Sequence, residues 1–273
     1  AMGDRAAGVA SKLVALEMRR RLHFGVDHLD LAASLNNVGI SLEEMGDRAA
    51  GVALQREALG MRRRLYGAVD HPDLADSLNN VGISLEEMGD RVAGVALKRE
   101  ALGIRRRLYA GVDHPRLASS LNNVGISLEA MGDRTSGLAL KREALEMRQR
   151  LYAGADHPDL ASSLNNVGNS LDAMGDRAAG VALQREALEM MRRLYAGVDH
   201  PDLASALNNV GITMVAMGDR AAGVALKRES LEMMRRLYAG VDHPSLADTL
   251  NNVGISLDAM GDRAAGVALQ REA

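Results

Sequence analysis

Residues 156–168 read Asp156-His157-Pro158-Asp159-Leu160-Ala161-Ser162-Ser163-Leu164-Asn165-Asn166-Val167-Gly168, and this stretch returns with few changes every 43 residues. Its core, Leu-Asn-Asn-Val-Gly, begins at Leu35, Leu78, Leu121, Leu164, Leu207 and Leu250. A second marker, Met-Gly-Asp-Arg, begins at Met2, Met45, Met88, Met131, Met174, Met217 and Met260. A fixed period of this length marks stacked supersecondary units, none of which buries its apolar face alone. The 273 residues therefore read as one repeat domain, 1–273, rather than as separate globular cores.

Each unit predicts two helices. Pro158 is tolerated in a first helical turn, Asp156 is placed to accept bonds from the free amides there, and Asp159 adds negative charge at the positive end of the dipole. Leu160, Leu164, Val167, Gly168 and Leu171 then follow 3.6-residue spacing, giving helix A over about Pro158 to Ala173. Gly175 is the expected left-handed C-terminal residue, and Asp176 can cap the next helix. So short a link forces an antiparallel pair. Helix B is expected from Arg177 to Tyr195, with Val181, Leu183, Ala187, Leu188, Met191 and Leu194 on its apolar side. Its polar side offers the i,i+4 pairs Arg185–Glu189 and Glu189–Arg193.

By the same reading a lone helix B spans about 3–23, and A/B pairs occupy about 29–66, 72–109, 115–152, 158–195 and 201–238. The last pair opens at 244 and stops at 273, halfway along helix B, which suggests either a fragment of a longer array or an end that mates with another chain. In the first copy Leu13 and Val14 replace Arg-Glu, as a modified terminal repeat would. Gly180 sits inside helix B, at a cost of about 0.5–1 kcal/mol in helix propensity. Paired with Gly168, it implies a closer helix approach than usual, with a loosened array as the alternative.

These residues resemble the tetratricopeptide repeat, in the longer form found in kinesin light chains and in repeat tails of signal-transduction NTPases. The general pattern falls on Leu164, Val167, Gly168 and Leu171, with the small residues of helix B at Gly180 and Ala187. His-Pro-Asp-Leu-Ala, Leu-Asn-Asn, Gly-Asp and Arg-Glu-Ala-Leu-Glu-Met carry the long-repeat resemblance. Gln184 and Leu171 depart from it where the pattern carries aromatics. The resemblance implies an all-α fold, a right-handed α-solenoid of antiparallel helix pairs.

Composition narrows the function. With 33 basic and 36 acidic residues the net charge is -3, which gives no general attraction to nucleic acid or an anionic membrane. There is no cysteine for a disulfide or thiolate site, and neither a secretion signal nor a membrane span is legible. A cytoplasmic protein is the expectation. Aromatics are few, so Leu, Val, Ile, Met and Ala must build the core.

No catalytic constellation emerges, and no enzyme, cofactor or metal site is expected. His28, His71, His114, His157, His200 and His243 recur one per repeat, roughly 20 Å apart if two helices at 8–10 Å spacing intervene, too far to share a metal. The runs Arg19 to Arg21, Arg62 to Arg64 and Arg105 to Arg107 read as dipole complements on a solvated outer face, without the interleaved aromatics of an RNA platform.

The remaining candidate is the helix A face not used in packing, which in tetratricopeptide arrays lines the concave groove. It carries Asn36, Asn79, Asn122, Asn165, Asn208 and Asn251, then Ile83, Ile126, Asn169 and Ile212, then Glu86, Glu129 and Asp172. Each first asparagine offers a donor and an acceptor to a peptide backbone, while the second, such as Asn166, is expected to hold repeat to repeat. With no basic residue foreseen there, a neutral or basic protein segment is the expected partner. The alternatives are a recognition region of a larger signalling NTPase and an array that assembles head to tail.

Overall fold

In the computed structural model, which describes residues 2–273 and the side chains from residue 7 onward, thirteen α-helices and no strand occur among the described residues. In chain order they are α1 (Met2–Leu22), α2 (Leu29–Glu44), α3 (Arg48–Tyr66), α4 (Pro72–Glu87), α5 (Arg91–Leu108), α6 (Pro115–Ala130) and α7 (Arg134–Tyr152). Then follow α8 (Pro158–Ala173), α9 (Arg177–Leu194), α10 (Pro201–Ala216), α11 (Arg220–Leu237), α12 (Pro244–Ala259) and α13 (Arg263–Glu272). Even-numbered helices are the A type and odd-numbered ones the B type. The helix A expected over Pro158 to Ala173 is α8 with those bounds, and helix B ends at Leu194, one residue short of Tyr195. None of the described helices is long and apolar enough to cross a membrane.

Two compact units divide the chain, one up to Leu140 and one from Lys141, so α7 contributes to both. In the first, α2 packs on α3 and α4 on α5, and each of α1, α3 and α5 packs on the helix A that follows it. In the second, the pairs are α8/α9, α10/α11 and α12/α13, with α9 and α11 leading onto the next helix A. The fold class is the α-solenoid read from the sequence. Its core is centred on Leu35, Leu78, Leu121, Leu164 and Leu207, all fully buried, flanked by the equally buried Val38, Val81, Val124 and Val167.

Helix ends are set by side chains. Asp176 Oδ1 accepts the Ala179 amide at 3.2 Å, and Gly175 takes φ +93°, where an L side chain would be strained. At the other cap the structure corrects the sequence reading: His157, not Asp156, caps α8. From extended backbone, its Nδ1 accepts the Asp159 amide at 3.1 Å. The same ring stacks on Tyr152 at 3.6 Å and 8°, and the Tyr152 hydroxyl donates to the Asp159 carboxylate at 3.1 Å. This Tyr-His-Asp staple, repeated at Tyr66, His71 and Asp73, joins the end of a helix B to the start of the next helix A.

Asp156, relieved of capping, takes Nε and Nη2 of Arg193, both at 2.7 Å, and so closes the open end of its own helix pair. Asp27–Arg64, Asp70–Arg107 and Asp199–Arg236 are the same clasp. Hydrogen bonding to the guanidinium holds each carboxyl below the usual aspartate range. The expected i,i+4 pairs are correspondingly rearranged: Glu189 meets Arg192 at i,i+3 and 3.3 Å.

Candidate binding face

The arginine runs are not a uniform outer stripe. Arg64 forms the clasp to Asp27, Arg63 reaches Glu100 on the next helix B at 2.7 Å, and Arg62 turns inward to the Ser77 hydroxyl and the Asp73 carbonyl, the latter at 3.1 Å. Arg105 repeats the inward arrangement on Ser120, and Arg148 on Ser163 at 2.6 Å. All three are buried, so the first arginine of the runs at 62 and 105 departs from the solvated face expected of them, and burial lowers the Arg148 pKa. Arg105 also meets Asp76, which Arg116 holds from the other side at 2.8 Å, so the face does contain cations that the spacing did not reveal.

A second buried polar position runs through the helices B, at Gln55, Lys98, Lys141, Gln184 and Lys227. Lys98 Nζ donates to Glu86 at 2.6 Å and to Ser127 of the next helix A at 3.0 Å. Gln55 links the same positions, its Nε2 donating to Glu43 at 2.8 Å and its Oε1 accepting from the Ser84 hydroxyl at 3.1 Å. Gln184 Nε2 donates to Asn169 Oδ1 at 2.7 Å, and Asp172 accepts from Arg177 at 3.1 Å. Three of the residues expected to face a partner, Glu86, Asn169 and Asp172, are therefore partly occupied in holding the array.

The asparagines are linked as well. Asn80 Nδ2 donates to Asn36 Oδ1 at 3.5 Å, Asn123 to Asn79 at 3.4 Å and Asn209 to Asn165 at 3.4 Å. The second asparagine of one repeat thus bonds the first asparagine of the repeat before it, an arrangement the sequence reading anticipated only from one side. Asn36, Asn79, Asn165 and Asn208 are half-buried, Asn122 is buried and Asn251 is exposed. Ile83, Ile126 and Ile212 expose 36%, 44% and 38% of their surface, and Glu129 is half-buried.

Where the buried arginine is missing, the face opens. Met191 and Met234 occupy the positions of Arg148 one and two repeats on, and their partners change in step, Ser163 giving way to Ala206 and Thr249. Ala161, Ser162, Asn165, Asn166, Met191, Ser205 and Ala206 line a depression of about 220 Å³. Ser205, Asn208, Asn209, Met234, Asp248, Thr249, Asn251 and Asn252 line another of about 300 Å³. Beside the second, Asn208 Oδ1 is buried without a hydrogen-bond partner among the described residues. A buried amide oxygen left unbonded costs about 1–3 kcal/mol.

Sequence models described as tetratricopeptide repeat match residues 73–150, 116–193 and 159–236, and a further one matches 31–73. No curated protein matches the chain. Among solved structures, BtubC (BKLC) from P. vanneervenii aligns with a TM-score of 0.71 at 22% identity, over 88% of this chain and 94% of that one. Kinesin light chain-type, nearly identical TPR-like repeats from Podosopora anserina align at 0.65 and 15% identity, over 79% of this chain and 100% of theirs. PilF of Pseudomonas aeruginosa aligns at 0.57 and 16%, over 88% and 90%. At these identities the structural likeness concerns the fold.

Proposed function

Because this chain belongs to the tetratricopeptide repeat family, with the array in its kinesin light chain-like form, we propose that it is a non-enzymatic scaffold that binds an extended protein segment along its helix A face. The observation that carries this reading is the unpartnered Asn208 Oδ1 beside the depression at Met234. A backbone N–H of a bound strand would satisfy that oxygen, and a small side chain would fill the depression. The depression at Met191 offers a second pocket for a small side chain one repeat earlier, where Asn165 Oδ1 already accepts from Asn209, with the half-exposed Ile212 nearby in sequence on the same face.

The segment is neutral or basic. Glu86 is held by Lys98 and Asp172 by Arg177, but acidic residues meet Asp202 at the first depression and Asp248 at the second. Selection from a peptide library supplies the ligand, and transplanting the arginine–serine pair of the preceding repeat into these two tests the site. Met191→Arg with Ala206→Ser, and Met234→Arg with Thr249→Ser, recreate the Arg148–Ser163 pair and fill both depressions. Affinity should fall at least tenfold with helicity unchanged. Undiminished binding in the helical quadruple variant, or in Asn122, Asn165 and Asn208→Ala, would defeat the proposal.

A further inference from the structure

Each staple between a helix B and the next helix A is built from a tyrosine, a histidine and the residue two places after the histidine. The first junction breaks the pattern, because His23 stands where Tyr66, Tyr109, Tyr152, Tyr195 and Tyr238 stand later. The other six histidines recur one per repeat, and His23 stands outside that series. His23 stacks on His28 with ring centroids 3.8 Å apart and planes within 10°, as the tyrosines do on theirs. Replacing a phenol by an imidazole, however, changes the chemistry of the place. A hydroxyl donor to the carboxylate becomes a second nitrogen ligand beside it.

We propose that His23, His28 and Asp30 bind one divalent transition-metal ion of the zinc, nickel or copper type. One ligand atom from each of the three lies within 4.8 Å of the others. Two imidazoles and a carboxylate suit borderline ions and leave a coordination position for water, whereas calcium and magnesium would ask for oxygen ligands. The Asp30 carboxylate lies beside the cap itself, with its Oδ2 3.7 Å from His28 Nδ1. The nearby cations are engaged elsewhere: Arg19 on the Ser34 hydroxyl, Arg20 on Glu17 and Glu57, and Arg64 on Asp27.

Access is open, since the His28 and Asp30 side chains are 42% and 70% exposed. His28 Nδ1 accepts the Asp30 amide at 3.1 Å as the cap of α2. Coordination through Nε2 leaves that cap in place, and coordination through Nδ1 exchanges it for the metal bond. In both cases His23 must turn out of the parallel stack so that its lone pair converges on the ion. No other junction has the second imidazole, so the site belongs to the first one alone.

Titration of tag-free, chelator-treated protein with Zn²⁺ by calorimetry tests this. The wild type should take up one equivalent at micromolar protein concentration and melt at a higher temperature with zinc present. His23→Tyr installs the residue that the other five junctions carry, so the fold is retained and zinc affinity should drop at least tenfold. Asp30→Ser, which copies Ser245 at the last junction, should weaken binding while keeping the His28 cap. Absence of uptake by the wild type, or equal affinity in a folded His23→Tyr protein, would overturn the assignment.

Discussion

A β-carbon on Gly168 would stand 2.8 Å from the carbonyl oxygen of Gly180, and one on Gly180 would stand 2.7 Å from that of Gly168. The two glycines are the point where helix A and helix B touch backbone to backbone, which decides for close approach over a loosened array. The same contact recurs between Gly39 and Gly51 and between Gly82 and Gly94. Gly168→Ala should therefore destabilise by about 1–3 kcal/mol through overpacking. Gly60→Ala, whose β-carbon would meet nothing nearer than an Arg64 nitrogen at 3.6 Å, should stabilise by about 0.5–1 kcal/mol. Urea midpoints of the two variants, moving in opposite directions, check the pair.

Lys227 is the buried lysine that has lost its carboxylate. Glu86 meets Lys98 at 2.6 Å, but Val215 stands in the corresponding place before Lys227, which is left to the Ser256 hydroxyl at 2.7 Å and the Asn252 carbonyl at 3.4 Å. Burial lowers its pKa from the ordinary 10.5, so the folded state gives up the proton first. Below the folded pKa the cost of the buried charge is present in full, and stability rises with pH between that value and 10.5. Val215→Glu should abolish the rise and add about 1–2 kcal/mol, as a charge-assisted bond does. Thermal melts of both proteins from neutral to alkaline pH read this directly.

Acid should loosen the helix pairs at their open ends. The carboxyls of Asp27, Asp70, Asp156 and Asp199 lie below the unfolded value of 3.8 because each is bonded to an arginine. Their contribution is present above that value and is lost as pH falls through the lower folded pKa values. All four are solvent-facing, so the effect of each is small and salt-sensitive. Changing the four to Asn should flatten the melting-temperature profile below about pH 4 by lowering the neutral plateau slightly while the acid limit stays unchanged.

Capping by histidine makes a separate prediction. His157→Ala removes the acceptor for the Asp159 amide and the stack on Tyr152, and should cost about 0.5–2 kcal/mol. Asp156→Ala leaves the cap of α8 intact and should lose less. Amide hydrogen exchange at Asp159 separates them: protection falls in the His157 variant and persists in the Asp156 variant.

Much of this was legible in one repeat. Pro158, Gly175 and Asp176 marked helix boundaries because capping and left-handed backbone act within a few residues, and the Gly168–Gly180 contact followed from two small residues on facing helices. The polar partners were not legible. Arg193 could be read as a pair for Glu189 on its own helix, but its bidentate partner is Asp156, 37 residues earlier. Asn209 and Asn165 are 44 apart, and the first asparagine could be assigned to a ligand only while its neighbour's reach was unknown. His23 escaped because only its stack on His28, seen in three dimensions, makes the substitution for tyrosine chemically meaningful.

By itself the sequence determined the period, the number and type of helices, their ends and the apolar faces, because propensity, capping and 3.6-residue spacing are local. Tertiary structure decided which charges meet, which arginines are buried, where Met191 and Met234 leave space, and which two imidazoles share a junction. Those outcomes depend on the register between successive helices and on how far each side chain reaches across it, quantities that a repeat pattern implies only once the helices are packed.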